Sequence, residues 1–464
     1  MAFFRRRPYS LSMKMKITLF AILVLSAVIL PAFAQEAQTE AVKVITIDEA
    51  VRIALDNNLS LRRSAINLGT ARRAADRSWN GLLPSLNASA MVSHPTSITD
   101  SIPPGRDMWT PGFHMSAGIT LSTATIENIR RARADYEAGL LSYEAAREQL
   151  EVQVRRLFYQ ILLLDASREL AAQSFKSARS RYEQTAALAR VGQASRLDEL
   201  SARVDMENQR PVMMNAEISY VNALDSFRTV LGIPAETSIR LDGTLASGII
   251  DDVSGLAANM GASLEVSMLL ASIRSMEAQR NTVRNSAHVP SLRLSWDSMP
   301  LYIHDGSWNN GNWIDGSGSF TVSLGLSLDS FFPWSNTRTQ IATINDNIRA
   351  TEIQVAETLR NRENRVNQNV RTVVSILESL EAIELNVELA QSTYEMISDA
   401  FRTGAADYQR LRSAGDGLAQ ARHRLLQEQF NLAIALLDIE RELSIPFGTL
   451  RGSDETKALM ENHR

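Results

Sequence analysis

The sequence predicts a mainly α-helical protein with a small membrane β part, made by duplicating one helix–strand–strand–long helix–helix unit. Three observations predict it. Two stretches are too long and unbroken for an ordinary core: seventy residues between Pro333 and Gly404 hold no Pro or Gly, and Ala124–Arg190 holds no Pro and only Gly139. Pairs of segments alternate with period two. Local motifs then recur at a nearly constant spacing in the two halves.

Taken in order, Arg5, Arg6, Arg7, Lys14 and Lys16 precede an apolar run, Ile17–Leu30, and Ala32-Phe33-Ala34 offers a small-x-small cleavage site. Residues 1–34 therefore read as an export signal rather than an anchor helix, because the run is short for a span. The following segment, 44–82, is expected as an amphipathic helix or helix pair. Thr46 and Glu49 have capping-box spacing, and Gly81 and Pro84 end the pattern.

Two strands follow, at 86–94 and 113–122, with apolar or small residues on one parity and polar ones on the other. A proline-rich loop, His94–Pro111, lies between them. The long helix 124–190 carries a seam at steps of three and four, including Leu150, Val154, Leu157, Ile161, Ala171 and Ala178. Arg147 and Arg168 interrupt it. Gly192 ends this helix, and a return helix runs over 195–231, where Pro211 should kink it. The first repeat thus spans 35–241, and 242–261 reads as a polar linker.

The second repeat, 262–448, renews the order: a helix ending before Pro290, strands at 291–298 and 320–329, a long helix at 335–401 and a return helix at 407–443. Its long helix carries the seam Val373, Ile376, Leu380, Ile383, Val387 and Phe401. A helix of that length extends about 100 Å and needs neighbours as long as itself. Pro84-Ser85-Leu86 returns as Pro290-Ser291-Leu292, Gly192 as Gly404, and Leu231-Gly232-Ile233-Pro234 as Leu443-Ser444-Ile445-Pro446. Residues 449–464 form a C-terminal tail.

Composition narrows the class. The 464 residues contain no cysteine, which excludes disulfides, Cys-based metal sites and an N-terminal lipid-anchored Cys. The formal charge is −4, and loss of residues 1–34 removes five basic and no acidic groups, giving −9. Such an exported acidic chain offers no basic surplus for nucleic acid. The six histidines, His94, His114, His288, His304, His423 and His463, have no metal-ligand spacing, and no phosphate loop or nucleophile elbow is present. The expectation is a non-enzyme with no cofactor and no metal.

The strands have the length of tilted membrane strands, with one face for lipid and one for water. Four strands cannot close a barrel, and an open edge is not viable in lipid. Three copies would supply twelve strands around a common axis. Trp296, Phe331, Phe332 and Trp334 are placed as interfacial aromatics at strand ends, whereas Trp79 reads as core packing.

These residues together resemble the TolC-like outer-membrane factor family. The resemblance covers nearly all of the chain after residue 34. Its signatures are Ile47-Asp48-Glu49-Ala50-Val51-Arg52-Ile53-Ala54-Leu55-Asp56-Asn57-Asn58, Gly81-Leu82-Leu83-Pro84-Ser85-Leu86, Val191-Gly192 with Ser195 and Asp198, and the Leu-Gly-Ile-Pro ending. The resemblance implies a homotrimer in the outer membrane that extends into the periplasm. A twelve-stranded β-barrel would be joined to a twelve-helix α-barrel, as the passive exit duct of a tripartite export system. Its partners would be a periplasmic adaptor, an inner-membrane pump and outer-membrane lipid.

The resemblance further implies adaptor docking at the tips, on Val191, Gly192, Ser195, Thr403, Gly404 and Asp407. Ser195 and Asp407 are also expected to cap the helices that follow them. In the best-known members, acids six and nine residues after the second tip glycine narrow the aperture. Here Arg410 and Ser413 stand at those positions, and Asp198 stands six after the first glycine. The chain departs from the acidic constriction, and an Asp198–Arg410 contact across the aperture is expected instead. The rival readings are a periplasmic adaptor, which would carry one hairpin between β-rich modules, and an exported coiled-coil scaffold, which has no use for period-two strands.

Overall fold

The computed structural model describes residues 43–94, 109–245, 263–303 and 311–451. The expected export signal, the linker beyond residue 245, most of the His94–Pro111 loop and the tail beyond residue 451 lie outside them. A small unit is built on the pairing of β1 (Lys43–Ile45) with β4 (Ile239–Leu241), where the sequence predicts helix or linker. The large unit holds the elements below.

Its order is α1 (Ile47–Asn57), α2 (Leu59–Asp76), β2 (Ser85–Ser93), β3 (Thr110–Leu121), α3 (Thr123–Arg190) and α4 (Arg196–Leu231), then α5 (Leu264–His288), β5 (Ser291–Ile303), β6 (Asn312–Gly325), α6 (Asn336–Arg402) and α7 (Tyr408–Leu443). Side chains cap the starts: Thr46 for α1, Asn58 for α2, Ser122 for α3, Ser263 for α5 and Ser335 for α6. Helix α4 runs on through Pro211.

The long helices α3 and α6 pack along their own return helices, and α3 also packs against α2, α5 and α7. On α6, Val373, Ile383 and Phe401 are buried and Ile376, Leu380 and Val387 are half-buried, so the heptad stripe faces protein. Two clusters punctuate the α6–α7 seam. One holds Val366, Val373, Leu432, Leu436, Ile439 and Leu443; the other, near the turns, gathers Ala202, Phe401, Tyr408 and Leu411. Arg147, on the expected seam, is exposed, and Arg168 binds Asp165 and Glu217 and lies over the Tyr220 ring.

The strands form one antiparallel sheet in the order β2-β3-β5-β6. Their extents differ from expectation for physical reasons. Strand β3 begins at Thr110 and takes in Pro111, which the sequence places in the loop. Strand β5 passes its expected end at 298 and continues to Ile303, because Pro300 is accommodated at a register shift between Ser298 and Pro300. Strand β6 starts at Asn312 opposite Ile303 and stops at Gly325. Residues 326–329, expected as strand, have no partner there, since β5 only begins at Ser291, after Pro290.

Candidate functional site

Two regions carry functional geometry: the sheet, and the turns that reverse α3 into α4 and α6 into α7. In the sheet, the registers put Leu86, Ala117, Trp296 and Phe320 in one row, with Leu294 beside Val322 and Leu292 beside Leu324 in the rows next to it. This face is apolar and bare: Leu86 is 77% and Leu324 74% exposed. Moving each such side chain out of water is worth about 1.5–3 kcal/mol. The other face carries Asn87, Ser116, Thr321 and Ser323, with His114 Nε2 lying 3.8 Å from Asp297 Oδ1. No described helix is long and apolar enough to cross a membrane.

Aromatic residues mark both ends of the sheet. At the helical end, Phe332 stacks on Trp334, with Phe331 exposed next to it in the chain and Trp79 exposed just before β2. Trp79 is 53% exposed in the short turn Ser78–Leu82 and is not core, because that turn has no buried residue. Trp296 stands in mid-strand opposite Phe320 rather than at a strand end. At the far end, Trp313 meets both Phe113 and Tyr302, and His94 meets Trp109. This second group was missed because its residues sit beside the Pro- and Gly-rich loops, where period two fails.

The turns are built alike. Gly192 and Gly404 have φ of 76° and 78°, values a side chain would strain. The amides of Gln193 and Ala194 donate to the Leu188 carbonyl, as those of Ala405 and Ala406 donate to that of Ala400. Ser195 caps α4 with a reciprocal box: its Oγ accepts from Asp198 N, and its backbone N–H donates to the Asp198 carboxylate. Asp407 caps α7 alone, accepting from Arg410 N at 2.8 Å. Asp198 is thus engaged on its own helix, and Arg410 lies 3.9 Å from Asp407. Val191 is exposed beside Gly192 and Thr403 precedes Gly404; Ser413 lies one turn beyond Arg410.

A different group joins the two hairpins. Tyr408 of α7 donates its hydroxyl to Asp205 of α4 at 2.6 Å, in a buried position, and Arg412 Nε lies 3.2 Å from the same carboxylate. Burial, then the Asp205 hydrogen bond, holds the Tyr408 hydroxyl above its ordinary pKa, against a smaller opposite pull from Arg181. Sequence spacing did not reveal this contact, because its partners are 203 positions apart. Among the described residues no His, Cys, Asp or Glu group is placed to hold a metal.

Residues 50–233 match the family model described as outer membrane efflux protein. No curated protein sequence matches the chain. Solved structures that do match include the outer membrane protein VceC of Vibrio cholerae, at 16% identity and TM-score 0.69, over 86% of this chain and 96% of that one. The CmeC outer membrane channel of Campylobacter jejuni matches at 16% identity and TM-score 0.69, over 92% and 93%. The MtrE outer membrane channel of Neisseria gonorrhoeae matches at 17% identity and TM-score 0.67, over 86% and 89%. The chain therefore carries an outer membrane efflux protein domain, within a fold shared with solved outer-membrane channels.

Proposed function

We propose that this chain is one subunit of a trimeric outer-membrane export channel, a passive conduit that receives a periplasmic adaptor and an inner-membrane pump. The observation that carries the reading is the sheet: one bare apolar face, one polar face, and edges β2 and β6 without partners among the described residues. Because every neighbouring pair is antiparallel, β2 and β6 run in opposite directions. The β6 of one copy can therefore continue onto the β2 of the next without breaking the alternation, and three copies close a twelve-stranded wall.

The helices support the same symmetry. Leu197, Leu200, Val204, Ile218 and Val221 are exposed along α4, and Ile353, Val374, Leu385, Leu389 and Met396 along α6. Apolar positions at helical spacing on the outer sides of both hairpins suit lateral packing between copies, giving a twelve-helix tunnel. At its tip, Val191, Gly192, Ser195, Thr403, Gly404 and Asp407 form the adaptor-docking surface. Asp198, Arg410 and Ser413 line the aperture, and Asp198 of one subunit approaches Arg410 of another. The buried Tyr408–Asp205–Arg412 contact holds the hairpins together when the aperture is closed. The solved MtrE channel was described in an open state, and the aperture here is taken to have one as well.

The native chain has no cysteine, so single cysteines report cleanly. With Asn87→Cys in β2 and cysteines scanned along 319–323 of β6, oxidation should yield covalent trimers in outer-membrane fractions. Recovery as a periplasmic monomer that never crosslinks would overturn the reading. Charge reversal at Arg410 should raise leak conductance in a planar bilayer, and unchanged leak removes the Asp198–Arg410 contact.

A further inference from the structure

The registers arrange the polar face of the sheet in rows that run across the strands. One row is Asn87, Ser116, Asp297 and Ser319, and two rows nearer the helices lie Thr120, Arg293 and Ser323. The row between them holds only Ser, Gly and Thr. Side chains in these three rows are short and uncharged apart from Arg293 and Asp297. The bulky residues of the same strands, Trp296 and Phe320 among them, stand on the opposite face.

The two charges sit on one strand and are partnered differently. Asp297 has His114 Nε2 3.8 Å from its Oδ1. Arg293 is exposed and has no carboxylate within ion-pair distance among the described residues. It lies near the start of β5 at Ser291, the helical end, and Asp297 follows four residues later, about 13 Å farther along a strand.

We propose that Arg293, in three copies, forms a cationic ring inside the barrel where it meets the helices, and that this ring draws anionic solutes in preference to cationic ones. Asp297 forms a counter-ring farther out. The inference rests on the channel reading, because only a closed wall puts three copies around one lumen. The scale is favourable. Twelve strands about 4.8 Å apart and tilted about 40° enclose a wall roughly 12 Å in radius. Screening in 0.1 M salt acts over about 10 Å, so the field of the ring reaches the axis. Short neighbours on the same face leave that field facing water.

The test uses a thiol as a local probe of potential, since the native chain has no cysteine. Ser295→Cys places one thiol per subunit in the row between the two rings. In full-length trimers purified in detergent, its modification is timed with two methanethiosulfonate reagents, one ending in a sulfonate and one in a trimethylammonium group. The anionic-to-cationic ratio of rates cancels changes in the reactivity of the thiol itself. In 0.1 M salt, Arg293→Gln should lower that ratio about three- to fivefold, and Asp297→Asn should raise it. Arg293→Lys, which keeps the charge, should leave it unchanged. In 1 M salt, where screening acts over about 3 Å, these differences should collapse. Trimers whose ratio does not respond to Arg293→Gln, or responds as strongly in 1 M salt, would overturn the ring and leave the channel reading standing. Failure of the native chain itself to form trimers would remove the reading beneath both.

Discussion

The two halves share their backbone conformation at the chain reversals and differ in the side chains placed around them. At the tips, Gly192 and Gly404 carry the same φ and the same pattern of amides folded back on the helix. At the far ends of the return helices, Gly232 and Ser444 are both left-handed, at φ of 70° and 56°. Around these shared points the chemistry diverges. Gly232 is pressed against α1, whereas the carbonyl of Glu442, near Ser444, accepts from buried Arg362. Position 228 is an arginine paired with Asp225, while position 440, 212 residues later, is a buried glutamate. The two halves share what the backbone requires at a reversal and differ in the side chains that meet between them.

The comparison breaks first at Gly232. An added Cβ would stand 2.6 Å from the Asn57 carbonyl oxygen, on a backbone that already disfavours side chains. Gly232→Ala should cost about 3 kcal/mol, from strain plus overpacking. Gly192→Ala has the same φ with nothing within 4 Å, so it should cost only about 1 kcal/mol. Denaturant unfolding of the two variants in detergent measures the difference; equal losses would mean that φ alone governs both sites.

Next in size is the contact made by both repeats together. Asp205→Ala removes the acceptor of Tyr408 and the closest carboxylate to Arg412, and should cost about 2 kcal/mol. Tyr408→Phe removes one hydrogen bond and should cost about 1 kcal/mol. If the contact also holds the tip closed, both variants raise bilayer leak in the same order. Because the Tyr408 pKa is raised, its contribution is fully present below the ordinary tyrosine pKa near 10 and fades only as pH rises above it. Leak that climbs between pH 6 and 8 would assign the tip's response to other groups.

The difference between backbone and side chains also explains what the sequence made legible. Helix ends at Arg190, Leu231, Arg402 and Leu443 follow from glycine, capping residues and seam periodicity, which are local signals. The strands' faces follow from period two, but their lengths do not. Pro300 sits at a register shift, and β6 ends where its partner ends, and both are properties of pairing. The tip residues rest on the family resemblance, counted from the glycines, which points to Asp198 and Arg410. It misses Asp205, Tyr408 and Arg412, whose meeting depends on how the hairpins lie against each other. Arg362, in the charged stretch Arg360–Arg365, is buried against the last turn of α7, a contact that no local pattern announces.

The smallest effects belong to the end of the second repeat. Ser444 occupies a conformation that its counterpart fills with glycine, so Ser444→Gly should stabilise the fold by about 1 kcal/mol. The long 3.4 Å contact with Arg362 offsets little of that gain. Glu440 is nearly inaccessible and accepts the amides of Gly448 at 2.9 Å and Leu450 at 2.8 Å, yet burial raises its pKa despite those bonds. A raised carboxyl pKa means that the folded state holds its proton to higher pH than the unfolded one. The group's contribution is therefore greatest below its ordinary value of 4.5 and declines as pH rises through the folded-state value. Against Glu440→Gln, which cannot titrate, the wild type should gain relative stability as pH falls from 7 towards 4.5. A difference that is flat or reversed over that range would mean that the two amide bonds, rather than burial, set the charge of this glutamate.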